Sequence, residues 1–159
     1  MNILAFFAHP DDETMLAGGA LALLAQSGAH VHFLCATRGE GGEVGEPPAG
    51  AMDELGDVRE QEMVCAVRTL GGRSLTFLGH TDPRVGPDDT LYPYTEDLVF
   101  LAGQVAATIR QLQADVLLTH GSNGASDELH QSFVPDRVRM LTTPPEALPN
   151  SAMPPEVTT

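Results

Sequence analysis

Lysine and tryptophan are both missing from this chain, and its only fixed cations are eight arginines against 22 acids, a formal net charge of -14 over 159 residues. So acidic a chain repels nucleic acid and anionic membrane surfaces, which are held through basic patches, and both are excluded as partners. Cysteine is scarce too. Two residues without ligand-like spacing make neither a disulfide framework nor a cysteine zinc site, and Cys35 in an apolar run and Cys65 in a helical segment read as small buried hydrophobes. Long apolar runs are also lacking: the N-terminal one has no basic segment before it and is broken at Asp11, short of the roughly 18 residues of a membrane span and unlike an export signal. A cytoplasmic location is the expectation. With 42% hydrophobic and 19% charged residues, what remains is the composition of one globular domain with a sizeable core.

The segment Asn2 to Glu13, NILAFFAHPDDE, carries the chemistry. An uninterrupted apolar strand over Ile3 to Ala8 suits a parallel sheet buried on both faces, and ligands of such sheets collect at the carboxyl ends of the strands. His9, Asp11, Asp12 and Glu13 follow at that end. With a helix starting at Asp11 or Asp12, its free N–H groups and dipole favour the acids, and His9 and Asp12, three apart, can turn toward one point. A neutral imidazole with a carboxylate is good Zn²⁺ ligation. The plainer alternative is a capping cluster, Asp11, Asp12 and Glu13 doing no more than complementing the helix N-terminus; that accounts for the acids and leaves His9-Pro10 unexplained.

The rest of the chain alternates. Strands are expected at Ile3 to Ala8, His30 to Ala36, Leu75 to Leu78 and Val116 to Thr119, with helices near Glu13 to Ser27, Asp53 to Leu70 and Glu96 to Gln113. That order implies parallel βαβ units with helices on both faces, a Rossmann-like three-layer αβα sandwich with a mainly parallel sheet. Gly28 and Gly71-Gly72 read as helix C-caps. The stretch Gly39 to Gly50, rich in Gly and Pro, reads as a loop closing over the site. The domain is expected over residues 1–141, short at its C-terminal end, with 142–159 a Pro-rich tail lacking apolar periodicity.

AHPDDE after a first apolar strand resembles the signature of the LmbE-like, or PIG-L-like, zinc-dependent de-N-acetylases, which remove acetyl groups from N-acetylglucosaminyl compounds and related amides. CATRGEGG (Cys35 to Gly42) is similar to that family's Thr-x-Gly-Glu loop, and DVREQEMVCAVRTLGG (Asp57 to Gly72) to its Arg-Glu-x-Glu helix ending in Leu-Gly. FLGHTD (Phe77 to Asp82) and LLTHGSNG (Leu117 to Gly124) are similar to the next two strand ends, so the resemblance runs to about Gly124.

The resemblance implies Zn²⁺ held by His9, Asp12 and a third histidine, with Asp11 the general base toward water and Glu13 orienting a ligand. It implies as substrate a small N-acetylated amino-sugar conjugate. The family's Gly-His-Pro-x-His motif is not reproduced: the chain reads ASDELHQSF, where His130, one residue from the expected place, is the candidate third ligand. The missing motif and the family's further strands imply a truncated or frame-shifted, catalytically impaired member. Arg59 and Glu62, three apart on one helix, read either as a surface pair or, by the resemblance, as groups bracing the site or touching substrate. His80 and His120 lie at strand ends on the active edge; structural hydrogen bonding is expected of both, with His120 the one able to polarise a carbonyl or substitute as a ligand. His30 and His32 alternate along a strand and are not site candidates. A different function class, a nucleotide-binding module using Mg²⁺, lacks the Gly-rich phosphate loop after the first strand and would make poor use of His9. An exposed sheet edge also invites a homo-oligomer.

Overall fold

The computed structural model describes residues 1–42, 54–87, 90–120 and 139–142. Its elements run β1 (Asn2–Phe7), α1 (Asp12–Gln26), β2 (His30–Cys35), α2 (Leu55–Thr69), β3 (Ser74–Phe77), α3 (Leu98–Leu112), β4 (Val116–Thr119) and β5 (Arg139–Thr142). All strand pairs are parallel, in the order β3-β2-β1-β4-β5. β1 is central, with Ile3 opposite Val31 of β2 on one side and Val116 of β4 on the other.

The two faces of β1 separate cleanly. Ile3, Ala5 and Phe7 pack with Val31, Phe33 and Cys35 against Ala17 and Leu21 of α1 and Met63 and Val67 of α2. Leu4 and Phe6 point the other way, with Leu34 and Leu117, onto Leu101, Val105 and Ile109 of α3. This is the three-layer arrangement expected from the alternation. It follows from the strand order: right-handed crossovers put helices on one face while the chain moves from β1 to β3, and on the other once it reverses toward β4. The reversal leaves a crevice at the carboxyl ends of β1 and β4, where doubly wound sheets bind ligands.

Strand and helix ends fall within one or two residues of the sequence-based expectation. Gly28 and Gly71, at φ 90° and 78°, follow the C-caps of α1 and α2. Each lies in a Schellman turn, closed in α1 by Ala29 N–H donating to the Leu24 carbonyl and in α2 by Gly72 N–H donating to that of Val67.

Two expectations are corrected. The sheet has a fifth strand, β5, paired to β4 with Val116 opposite Arg139. It was missed because a four-residue edge strand with a leading arginine has no apolar run. Cys65 is exposed rather than buried, because Met63 and Val67, four apart, take the inward face of α2 and leave Cys65 outside. Cys35 is buried, and burial pushes its thiol up, so it stays protonated. The remainder of the Gly39 to Gly50 loop beyond Gly42, His130 and the 143–159 tail lie outside the described residues. Among the described residues no helix is long and apolar enough to cross a membrane.

Candidate functional site

The loops leaving the carboxyl ends of β1, β2, β3 and β4 each bring polar groups to one place. β1 runs into His9-Pro10, and the chain turns at Asp11 before α1. Asp11 has φ 101° and ψ -31°, a conformation that a side chain rarely adopts and that costs on the order of 1–3 kcal/mol. What holds it is visible. Its carbonyl accepts from Thr14 N–H and Met15 N–H at 2.9 Å, opening the helix, and its own N–H donates to Glu13 Oε2 at 3.1 Å. The other Glu13 oxygen accepts from the Thr14 hydroxyl at 2.7 Å. Glu13 is only 1% exposed, and its carboxylate engages the Asp11 N–H and the Thr14 hydroxyl.

This geometry does not match a capping cluster. Asp11 makes no side-chain cap bond, whereas Asp97 does cap α3 by accepting from Phe100 N–H at 2.8 Å. Asp12 turns back toward β1. Its Oδ2 accepts from His9 N–H at 3.0 Å, lies 3.7 Å from His9 Nδ1 and 3.2 Å from His120 Nε2. Burial pushes the Asp12 carboxyl up, but the bonds from His120 and from the His9 ring and backbone outweigh it and hold the carboxyl well below the usual range. Hydrogen bonds to Asp12 and Asp82 push His9 up to about 10.

His120 is buried and edge-on to Phe7, with ring centroids 5.4 Å apart. Its Nε2 is 3.1 Å from Ala8 N–H as well as 3.2 Å from Asp12 Oδ2, and one ring nitrogen cannot accept from the first while donating to the second. Either contact ties the end of β4 to the turn after β1.

Arg59 pairs with Asp11 and not with Glu62, its sequence neighbour on α2. Nη1 lies 3.2 Å from Asp11 Oδ2 and donates to the Pro10 carbonyl at 3.2 Å. Burial pushes the Asp11 carboxyl up, Arg59 pulls it down, and Asp12 adds to the rise, for a net upward shift. Glu62 lines, with Asp11 and Arg59, a cleft of about 250 Å³ between α1 and α2. Gly39, at φ 72°, passes directly over Arg59: a Cβ there would lie 2.9 Å from Arg59 Cδ.

Sequence reasoning overlooked Asp82 and Glu40, although both lie in segments carrying the resemblance. Asp82 Oδ1 is 3.3 Å from His9 Nε2, and Asp82 N–H donates to Glu40 Oε2 at 3.1 Å. The signal available was position: Asp82 follows the third strand at the same edge of the sheet as His9. His80 is turned away, its Nε2 2.8 Å from Gln104 Oε1 of α3. His30 and His32 sit at the opposite end of β2, bonded to Asn2 and Ser74.

Two ligands about 2.1 Å from one zinc ion at a tetrahedral angle stand about 3.4 Å apart. The 3.7 Å between His9 Nδ1 and Asp12 Oδ2 is close to that, so imidazole and carboxylate fit as two members of a zinc ligand set. Among the described residues no group of three or more His, Cys, Asp or Glu side chains is arranged to hold a metal ion.

Residues 4–134 match the family described as PIG-L, GlcNAc-PI de-N-acetylase. A 1D-myo-inositol 2-acetamido-2-deoxy-alpha-D-glucopyranoside deacetylase from Rhodococcus jostii is 37% identical over 136 residues, covering 77% of this chain and 47% of the relative. The protein of that name from Thermobifida fusca is 33% identical over 136 residues, with 77% and 48% covered. The chain thus spans about half the length of the curated relatives it matches. Among solved structures, GalB, the 4-carboxy-2-hydroxymuconate hydratase of Pseudomonas putida KT2440, superposes with a TM-score of 0.59 at 29% identity, covering 76% of this chain and 47% of that one. An N,N'-diacetylchitobiose deacetylase from Pyrococcus horikoshii shares the fold, with a TM-score of 0.59 at 24% identity over 74% of this chain and 40% of its own.

Proposed function

We propose that this chain, which belongs to the PIG-L GlcNAc-PI de-N-acetylase family through residues 4–134, carries the catalytic edge of a zinc-dependent hydrolase that removes the acetyl group from an N-acetylated amino sugar or its conjugate. The observation that carries the reading is the turn at Asp11. Imidazole and carboxylate stand on either side of it at ligand separation, and Asp11 is held in a strained conformation that capping does not require.

The residues divide the work. His9 Nδ1 and Asp12 Oδ2 would hold the metal, with His130 the proposed third ligand. Zinc, when bound, supplies a Lewis acid that polarises the acetyl carbonyl and lowers the pKa of water toward about 7. Asp11 is the base that takes the water's proton and returns it to the departing amine; its upward-shifted carboxyl is nearer the working pH, which favours both transfers. Arg59 keeps that carboxylate in place, and Glu13 fixes the backbone that carries it. The amino-sugar substrate class is supported by the relatives at 37% and 33% identity, both deacetylases of an N-acetylglucosaminyl inositol.

The test uses the full chain, stripped of metal and then titrated with zinc, on N-acetylglucosaminyl inositol and on N-acetylglucosamine. Equimolar acetate and free amine, abolished by chelation and restored by zinc, are expected. A zinc-loaded chain that releases no acetate, beside a full-length relative that does, would remove hydrolysis from this chain.

A further inference from the structure

Asp82 has a second task written into its contacts. Its Oδ1 faces His9 Nε2 at 3.3 Å, while the other ring nitrogen, Nδ1, faces Asp12 Oδ2 at 3.7 Å. Which imidazole nitrogen is left to face a metal is set by the hydrogen bond that the other one makes. We propose that Asp82 is a positioning residue, which accepts the Nε2 proton of His9 in a hydrogen bond and so commits Nδ1 to the Asp12 side, where a metal ion would sit. The inference rests on reading His9 and Asp12 as metal ligands, and names the group that makes His9 one.

Asp82 is itself held. Its N–H donates to Glu40 Oε2, the oxygen that also accepts from Arg38 N–H at 3.2 Å, while Glu40 Oε1 accepts from Arg38 Nε at 3.2 Å. One partly buried carboxylate thereby ties the loop after β2 to the loop after β3. Tyr94 closes the remaining side of the ring, edge-on to His9 with centroids 6.4 Å apart. His9 is thus fixed by its own N–H on Asp12, by Asp82 at the far nitrogen and by an aromatic edge. A carboxylate on the distal nitrogen of a ligating histidine sets its tautomer and raises its basicity, and losing such a partner costs about 10–100-fold in metal affinity.

The experiment compares wild type, D82A and D82N as full chains. Zinc affinity is measured by competition with a chelator, and the His9 Nε2 proton is followed by ¹H–¹⁵N NMR in the metal-free and zinc-loaded chains. We expect D82A to lose about 10–100-fold in affinity and its protected Nε2–H signal, and D82N, which keeps an oxygen acceptor without the charge, to recover most of both. Wild-type affinity in D82A would overturn the proposal. So would a D82N as weak as D82A, since charge and not the acceptor would then matter. A wild-type chain that binds no zinc would refute the metal reading alone, because the Nε2–H signal of the metal-free chain, protected in wild type and lost in D82A, still decides the role of Asp82.

Discussion

Arg59 and Asp11, 48 residues apart, meet through two guanidinium nitrogens at 3.2 and 3.4 Å from one carboxylate oxygen. The fork also reaches the Pro10 carbonyl, so it grips the Asp11 carboxylate and the backbone in front of it together. A lysine ammonium is a single point charge and cannot make both contacts from one position. We therefore expect R59K to keep zinc affinity near wild type and to lose up to about 10²-fold in kcat through misplacement of Asp11. Unchanged kcat in R59K would show that the fork plays no part in catalysis.

On the proposed reading Asp11 is separable from the metal. D11N should bind zinc as wild type does and turn over about 10²-fold or more slowly, because an amide cannot accept the proton of water. Metal content and kcat must be read on the same sample. Full activity would take the base role away from Asp11.

The His9 and Asp12 shifts make a pH statement about the metal-free chain. Asp12 is lowered from its ordinary value of 3.8, so its contribution to stability is present above that value and disappears as pH falls through the folded-state value. His9 is raised from 6.5 to about 10, so its contribution is complete below 6.5 and is lost as pH rises toward 10. Thermal unfolding of wild type and H9Q should accordingly differ most between the two ordinary values and converge as pH approaches 10. An equal difference in Tm at pH 6 and pH 10 would contradict the pairing.

Gly39 supplies a test from the opposite loop. At φ 72° an alanine costs about 1–2 kcal/mol in backbone strain, and its Cβ would press on Arg59 Cδ from 2.9 Å. G39A should lower stability by that amount and lower kcat as R59K does. A variant that loses stability while keeping kcat would mean that Arg59 can shift without moving Asp11.

Much of this was legible from sequence for a plain reason: buried parallel strands are continuous apolar runs, and Ile3 to Ala8 and Val116 to Thr119 cannot be mistaken for half-exposed ones. The clustering of His9, Asp11, Asp12 and Glu13 at a strand end followed from the same fact. What escaped was contact across the fold. Arg59 and Glu62 are obvious neighbours on a helix, yet the guanidinium found Asp11, because the approach of α2 to the α1 N-terminus is a tertiary event that helical spacing does not encode. Asp82 was hidden for the same reason, its partner His9 lying on another loop. Glu13 was legible as part of the strand-end cluster, but its attachment to the Asp11 N–H depends on a positive φ that no residue type announces.

The central place of β1 also bears on how the chain comes to be made. β1 needs two neighbours, and the later of them, β4, begins only at Val116. At about 5–20 residues per second, a ribosome leaves one edge of this apolar strand without its partner for roughly 6–20 seconds. During that interval Ile3 to Phe7 offer a free row of backbone N–H and C=O groups between side chains destined for the core, the kind of edge on which chains pair with one another. Nascent copies on one messenger are therefore in more danger of aggregation than finished ones, and for this edge the danger ends when β4 pairs with β1.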